Sequence, residues 1–389
     1  MQRARWTKDG ECEKTSPKEL TMTRAAPIIA FLTTLFACAD DANAPAAGSG
    51  SAGSSATTSS SSSAQTTTAG SQTTTATSTA TSSSSQTGST GSGGQGGTGG
   101  AGGAPGDAAS DAPSAKRFVC PAGPFARPIP GQLQTVCAGF QYNYTYNEGP
   151  TWIASQGAFF FSNFLQGQAM GGDIIKYTPG GQCEIFLRAV GCNGLGVSPS
   201  GNIMAACHQP RAVLEYDVVT KAATVLADMY MGTMLDSPND LVAHKSGSIY
   251  FSNPIYELGG RPQGIGPALF WRDPAGVLTL VKMAVTNGVT LSADETILYV
   301  VGGGAWDLDA AGRPSNNRAS FANGDGIATD CAGNIYSSTG AITNPQGQGL
   351  GTIPASTNLA FGGGDGTTLL LVGGGTNVRT IAMNLPGFP

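Results

Sequence analysis

The chain is poor in several features that carry common protein functions. It has only two histidines and no pair of Cys-x-x-Cys motifs, which argues against a structural zinc site. From Lys116 to Pro389, 14 basic and 17 acidic side chains leave a net charge of −3, without the basic patch that nucleic-acid binding requires. Strong helical periodicity is missing, and "GVSPSG" lacks the context of a serine nucleophile elbow. With its frequent glycine, the composition predicts an all-β domain rich in tight turns.

The N-terminal region is predicted to be an export signal. An uncharged run from Ala25 to Ala37 follows Arg24, and its length suits a signal-peptide core rather than a membrane span. The run ends in "LFAC", which resembles a bacterial lipobox with Cys38 as the lipidated residue. We therefore expect residues 1–38 to be a signal region with its true start at Met22. An ordinary secretory signal is the alternative.

Residues 39–115 are predicted to form a disordered linker. From residue 44 onward they are almost entirely Gly, Ser, Thr, Ala and Gln, with Asp107 and Asp111 as the only charges. Such a segment buries too little apolar surface to offset its ordering entropy. The expected product is an exported lipoprotein of the outer membrane, periplasm or cell surface, which touches the membrane only through its lipid. Residues 116–389 remain for one large domain, expected to be monomeric.

Six cysteines lie in this domain, and an oxidising compartment would favour disulfides between them. Cys120 with Cys137, and Cys183 with Cys192, are close pairs in sequence. Spacing alone does not decide the connectivity.

One pattern recurs six times in the domain. A polar residue, usually followed by glycine, precedes a turn and a β-rich run, as in "NDLVAHKSGSIYFSN" and "NGVTLSADETILYVV". The leading residues are separated by 45, 46, 48, 38 and 33 positions, a period typical of propeller blades. They are Glu148, Asn193, Asn239, Asn287, Asp325 and Asn358. The sequence thus predicts a six-bladed β-propeller, with a strand from Thr135–Tyr146 beside "TNVRTIAM" closing the last blade.

The six leading residues, which we call the polar ring, should surround the channel because each blade gives its inner strand to the axis. Asp240 lies next to the ring. Carboxylate and amide oxygens suit a hard cation such as Ca²⁺. The alternative is that Asn-Gly and Asp-Gly are merely turn dipeptides. That alternative accounts poorly for the "EGPTW" segment at Glu148.

The motifs "EGPTW", "CNGLGVSPSGNI", "SPNDLVAHKSGSIYFSNP", "NGVTLSADETILYV", "NGDGIATDCAGNIY" and "TNLAFGG" resemble the bacterial branch of the gluconolactonase and senescence-marker-protein family of six-bladed propellers. The resemblance implies a central channel with a divalent cation, Ca²⁺ first and Zn²⁺ or Mn²⁺ as alternatives. The implied metal ligands are Glu148, Asn239, Asn287 and Asp325. The implied catalytic residues are Asp325, Asn239 and Asp240. Asn193, His208 and Arg211 are the expected substrate-binding residues, although an exposed loop position is an equal alternative for His208 and Arg211.

The chain departs from the family pattern at three points. Asn253 in "FSNP" replaces a usual aspartate, Thr286 replaces a usual proline, and "LYVVGGG" lacks a common acidic residue. None of these positions is an implied principal ligand.

The implied function is a metal-dependent hydrolase of a lactone or related ester, in which the metal polarises the carbonyl and activates water. The alternative is a non-catalytic, surface-tethered propeller that binds a ligand and uses calcium structurally. The expected partner is a small-molecule substrate.

Overall fold

The structure, a computed structural model, describes residues 118–320, 322–375 and 377–388. The predicted signal region, Cys38 and the linker lie outside these residues. Within the described ranges, no helix has the length and apolarity needed to span a membrane.

Six antiparallel sheets follow one another along the chain as the blades of a β-propeller, which confirms the predicted fold class. From the innermost strand outward, the blades are: blade 1, β2 (Tyr146–Ile153), β3 (Ala158–Phe164), β4 (Asp173–Tyr177) and β5 (Cys183–Leu187); blade 2, β6 (Cys192–Val197), β7 (Ile203–Cys207), β8 (Ala212–Tyr216) and β9 (Ala223–Ala227); blade 3, β12 (Leu241–Ala243), β13 (Ile249–Asn253), β14 (Ala268–Arg272) and β15 (Leu278–Met283); blade 4, β16 (Val289–Leu291), β17 (Ile297–Val300), β18 (Gly304–Leu308) and β19 (Pro314–Arg318); blade 5, β20 (Ile327–Asp330), β21 (Ile335–Ser337), β22 (Ala341–Thr343) and β23 (Gly349–Thr352); blade 6, β24 (Asn358–Gly362), β25 (Thr368–Val372), β26 (Arg379–Met383) and β1 (Pro130–Thr135).

Three short elements lie outside this plan. The hairpin β10 (Met229–Tyr230) and β11 (Thr233–Met234) joins blades 2 and 3, and a 3₁₀ turn at Ala154–Gln156 follows β2. The strand β27 (Gly387–Phe388) pairs with the inner edge of β20, so the C-terminal segment enters the channel.

Blade 6 is closed by the other end of the domain, as predicted. The closing strand is β1, whose Leu133 and Thr135 pair with Ile381 and Arg379 of β26. The predicted segment Thr135–Tyr146 overlaps β1 only at Thr135. Phe140 and Tyr142 of this segment instead pack in the core shared by blades 1 and 6, where Tyr142 lies near Phe161.

Continuous apolar runs in the middle strands explain how the blades hold together. Phe159, Phe160 and Phe161 are all fully buried in β3, although strand geometry points alternate side chains to opposite faces. Phe160 packs in the core shared with blade 2, whereas Phe159 and Phe161 pack in the core shared with blade 6. A blade buried on both faces therefore shows no alternation of polar and apolar residues.

The six cysteines of the domain form three disulfides: Cys120–Cys331, Cys137–Cys183 and Cys192–Cys207. Neither Cys120–Cys137 nor Cys183–Cys192 is bonded, whereas Cys192 and Cys207, 15 positions apart, are. Two of the bonds fasten the segment around β1 to blades 1 and 5, and the third joins β6 to β7. The pairing follows blade contacts, which bring together residues up to 211 positions apart.

Candidate functional site

The polar ring lies at the start of the six inner strands. Its members stand within or directly before β2, β6, β12, β16, β20 and β24. Contacts across the channel show that these positions converge. Asn358 donates from Nδ2 to both carboxylate oxygens of Asp240, at 3.2 and 3.1 Å, across 118 residues of sequence. The Asn358 side chain also hydrogen-bonds Glu148, and the Asn287 side chain hydrogen-bonds Asp325.

Close packing of the inner strands explains the glycines that follow most ring residues. The N–H of Gly194 donates to the Asn239 carbonyl at 2.5 Å, and the N–H of Gly288 donates to the Asp325 carbonyl at 2.9 Å. A Cβ at Gly194 would collide with Asp240, and a Cβ at Gly326 would collide with Asn358. The dipeptides are therefore inter-blade contacts within the channel wall, and the turn alternative does not hold for them.

Several ring oxygens are buried without a partner. Glu148 Oε1, Asn193 Oδ1 and Asn287 Oδ1 are inaccessible to solvent and accept no hydrogen bond. Buried polar atoms are almost always paired, so three orphaned oxygens around one channel require an explanation. A cation held at the ring would satisfy Glu148 Oε1 and Asn287 Oδ1, because oxygen atoms are the ligands that Ca²⁺ prefers, and it would leave Asn193 Oδ1 to a polar ligand.

Three carboxyl groups in or beside the ring have raised pKa values. Burial, with Asp325 and Asp240 nearby, raises the pKa of Glu148 well above its usual range. Burial and Asp325 raise the pKa of Asp240 to about 7, and burial raises the pKa of Asp325. Desolvation and like charge both disfavour ionisation, and a bound cation would reverse this.

The donor set distinguishes between metals. Among the described residues, no group of three or more His, Cys, Asp and Glu side chains is arranged to hold a metal ion. The ring offers carboxylate and amide oxygens instead, and no imidazole or thiolate. This chemistry fits Ca²⁺ better than Zn²⁺.

Loops on one face of the ring carry further polar groups. His208 follows β7, whose Cys207 pairs with Cys192 at the start of β6, so its loop lies level with the ring. Its side chain is fully buried, and burial lowers its pKa to about 4. Nε2 lies 3.4 Å from the Gly171 carbonyl oxygen, and Nδ1 has no partner. His208 is thus a buried, neutral imidazole whose Nδ1 lacks a hydrogen-bond partner, and it is not an exposed loop residue.

Arg211, also buried, braces the neighbouring loop. Its Nε donates to the Leu235 carbonyl at 2.5 Å, its Nη1 to the Pro262 carbonyl at 3.0 Å, and its Nη2 to Asp236 at 3.2 Å. With all three nitrogens engaged, the guanidinium positions the segment from Pro254 to Gly266. This geometry favours a supporting role over direct substrate contact.

The same network accounts for the departure at Asn253. Its Oδ1 accepts from the Asp236 N–H at 2.9 Å, and its Nδ2 donates to the Gly266 carbonyl at 3.2 Å and to Asp236 Oδ2 at 3.4 Å. An aspartate here would set a second carboxylate against Asp236. The amide therefore suits its neighbours, and the departure concerns loop bracing and not the ring. Thr286, the second departure, donates to the Ala268 carbonyl at 3.3 Å.

Sequence reasoning missed two groups beside the ring. Glu257 is buried, accepts from Ser237 Oγ at 2.8 Å, and hydrogen-bonds the Asn239 side chain; burial raises its pKa to about 7. The Tyr146 side chain hydrogen-bonds Asp325. Tyr146 stands two residues before Glu148, so strand alternation offered a signal for it. Glu257 lies in a loop outside the repeat, where no periodic signal exists.

Comparisons with known proteins bear on the family and the fold of the chain. The model of the SMP-30/Gluconolactonase/LRE-like region matches residues 146–373. A gluconolactonase of Zymomonas mobilis subsp. mobilis is 30% identical over 266 residues, covering 56% of this chain and 73% of the relative. A solved gluconolactonase from Xanthomonas campestris has a TM-score of 0.56 at 24% identity and covers 68% of this chain and 99% of its own. A calcium-binding regucalcin from Agrobacterium tumefaciens has a TM-score of 0.51 at 17% identity, covering 66% and 94%.

Proposed function

Because the chain belongs to the SMP-30/gluconolactonase/LRE-like family, we propose that it hydrolyses a lactone or related carboxylic ester at the polar ring. The observation that carries the proposal is the set of orphaned oxygens of Glu148, Asn193 and Asn287 beside carboxyl groups with raised pKa values. Perturbed titratable groups in a channel are typical of sites that move protons.

The proposed cation site uses Glu148, Asn239, Asn287 and Asp325. When bound there, Ca²⁺ supplies a Lewis acid that stabilises the negative charge developing on the substrate carbonyl oxygen. Asn239 and Asn287 are neutral, and Glu148 and Asp325 share hydrogen bonds with ring neighbours, which limits the repulsion between the two carboxyl groups. The regucalcin neighbour is described as calcium-binding, which supports the choice of ion.

The chain's own groups supply proton transfer and orientation. In the reaction a water oxygen bonds to the carbonyl carbon, the C–O bond of the lactone breaks, and the water proton passes through a carboxylate to the leaving oxygen. Asp325, oriented by Tyr146 and Asn287, and Asp240, oriented by Asn358, are the two candidates for that carboxylate. A pKa of about 7 at Asp240 lets this group hold and release a proton near neutral pH.

Substrate orientation is assigned to the face that carries the loops. Asn193 and the free Nδ1 of His208 are proposed to contact polar groups of the substrate. Arg211 acts indirectly by fixing the loop from Pro254 to Gly266, which also carries Glu257. Precise placement of reacting groups accounts for a large part of enzymatic rate enhancement.

A panel of sugar lactones, acyl lactones and aryl esters, assayed with EDTA and with added Ca²⁺, Mn²⁺ or Zn²⁺, tests the activity. We expect hydrolysis of at least one lactone, loss with EDTA and recovery with Ca²⁺, while circular dichroism stays unchanged. Asp307→Asn, which breaks an exposed ion pair with Arg318, is the control for a charge change far from the ring. Calcium binding without hydrolysis of any substrate would refute the enzyme and support the binding propeller.

We further propose that the protein is an exported lipoprotein anchored through Cys38. The three disulfides support an oxidising compartment. Cys38→Ser is expected to move the protein from the membrane fraction to the soluble fraction of cells that make it. A variant that stays in the membrane fraction would contradict lipidation at this residue.

A further inference from the structure

A cavity of 380 Å³ occupies the half of the channel beyond the polar ring, and we call it the lower chamber. In each blade its lining comes from the inner strand downstream of the ring residue, for example Thr151 in blade 1, Val242 in blade 3 and Ala360 in blade 6. His208 and its loop lie on the upstream side, as the pairing of Cys207 with Cys192 shows. The lower chamber and the loop that carries His208 therefore lie on opposite sides of the ring, and Asp240, a candidate for proton transfer, borders the chamber.

The lining is mainly apolar, and its hydroxyl-bearing side chains are Thr151, Ser155, Ser198 and Thr290. Asp240 is the single ionisable side chain among the lining residues, and Asn358 lies beside it. Both carboxylate oxygens of Asp240 accept from Asn358, and a carboxylate can accept about four hydrogen bonds. The remaining capacity is available to a donor in the chamber. Toward the other end, the rings of Phe118, Trp152, Phe361 and Phe388 line the wall.

Both ends of the domain build the floor of the chamber. Phe388 arrives on β27, where it pairs with Thr329 at the inner edge of blade 5. Phe118 packs beside Gly366, and the disulfide Cys120–Cys331 holds its segment in place. Neither aromatic residue belongs to the repeated blade pattern. The rim reaches solvent at Ala154 and Ser155, both exposed.

We propose that the lower chamber is a second small-molecule site, which takes an apolar ligand with one hydrogen-bond-donating head group. The head group meets Asp240 and the body lies against the aromatic floor. The volume falls in the range of ligand pockets, about 300–1,000 Å³, and a mainly apolar wall with a few polar groups is the usual form of such sites.

N-phenyl-1-naphthylamine is a suitable probe, since it is apolar, has one N–H donor and fluoresces more strongly in apolar surroundings. We expect the full-length chain to bind it, and octan-1-ol to displace it at least about tenfold more effectively than octanoate, because an ionised carboxylate has no donor for the Asp240 oxygens. Ala360→Trp fills the chamber and should abolish binding while calcium affinity stays unchanged. Ala222→Trp, at an exposed turn, is the matched control.

Each outcome decides the proposal. Absence of probe binding to the wild-type chain, or equal binding to Ala360→Trp, would overturn the site. Displacement by octanoate as effective as that by octan-1-ol would overturn the assigned ligand class. Val242→Phe, at another partly buried lining position, replaces Ala360→Trp if that variant does not fold. Lactone hydrolysis is not part of the readout, so failure of the proposed function leaves this test intact.

Discussion

Blades 3 and 6 differ from the other four in the residue that follows their ring residue. Glycine follows in blades 1, 2, 4 and 5, whereas Asp240 and Leu359 follow in blades 3 and 6. In a six-membered ring of blades these two stand opposite each other, and the Asn358–Asp240 hydrogen bond joins them. Glycine thus lets neighbouring strands approach, whereas Asp240 of blade 3 meets the ring residue Asn358 of blade 6 across the channel, and Leu359 packs in the core shared with blade 5.

The largest expected effect concerns the carboxyl groups that both kinds of blade contribute. Because the pKa values of Glu148, Asp240 and Asp325 are raised in the fold, their contribution to stability is fully present below about pH 4 and is lost as pH rises through the raised pKa values, of which that of Asp240 is about 7. For Asp240 alone the loss should amount to a few kcal/mol, at about 1.4 kcal/mol per pKa unit. Chemical denaturation across this pH range, without metal, measures it.

The control for this prediction is the triple variant Glu148→Gln, Asp240→Asn and Asp325→Asn. Its unfolding free energy should depend much less on pH than that of the wild type. Saturating Ca²⁺ should remove the wild-type decline, since the ion favours the ionised carboxylates. Identical pH profiles for the wild type and the triple variant would contradict the electrostatic account of the ring.

Removal of one charge from a glycine-bearing blade should have the next largest effect. Asp325→Asn keeps the shape of the side chain, and we expect calcium affinity to fall about 10–100-fold, as for other lost metal-site partners. Turnover should fall by about two orders of magnitude or more. Calorimetric calcium titration and lactone assays measure both, with Asp307→Asn as the control. Unchanged calcium affinity would remove Asp325 from the proposed ligand set.

A methyl group placed between a glycine-bearing inner strand and the inner strand of the next blade tests the packing half of the comparison. A Cβ at Gly326 would meet Asn358, so Gly326→Ala should destabilise the domain by about 1–3 kcal/mol through overpacking. Gly349→Ala is the matched control, because nothing lies within 4 Å of its Cβ position. Thermal unfolding of both variants gives the difference. Equal stability would show that the strands can separate without cost.

The smallest effect on stability is expected from removal of the Asn358–Asp240 contact between blades 3 and 6. Asn358→Leu removes both donors to Asp240 at similar volume, which should cost about 1 kcal/mol and raise the pKa of Asp240 further. The midpoint of the pH dependence of calcium binding should therefore move to higher pH. A midpoint that stays in place would show that Asp240 does not depend on Asn358.

The repeat explains why the sequence predicted the ring and the blade number so directly. Each ring residue occupies the same position of a repeated unit, and six-fold closure places them together without further information. The closing strand β1 was harder to locate, since its "PGQLQT" residues are mostly exposed and carry no alternating pattern. Sequence spacing could not predict the disulfide pairing or the roles of Glu257 and Asp236. These features depend on loops and on contacts between blades, which leave no periodic pattern along the chain.

The disulfide Cys120–Cys331 also determines how the domain would respond to mechanical load. Force applied to the chain ahead of Phe118 reaches Cys120 before it reaches β1, and the bond transfers it to the turn after β20 in blade 5. The hydrogen bonds between β1 and β26 are thereby shielded from peeling one at a time. A pull on this end would therefore meet a covalent stop and not the edge of a sheet, and the propeller would hold its closed circle under tension.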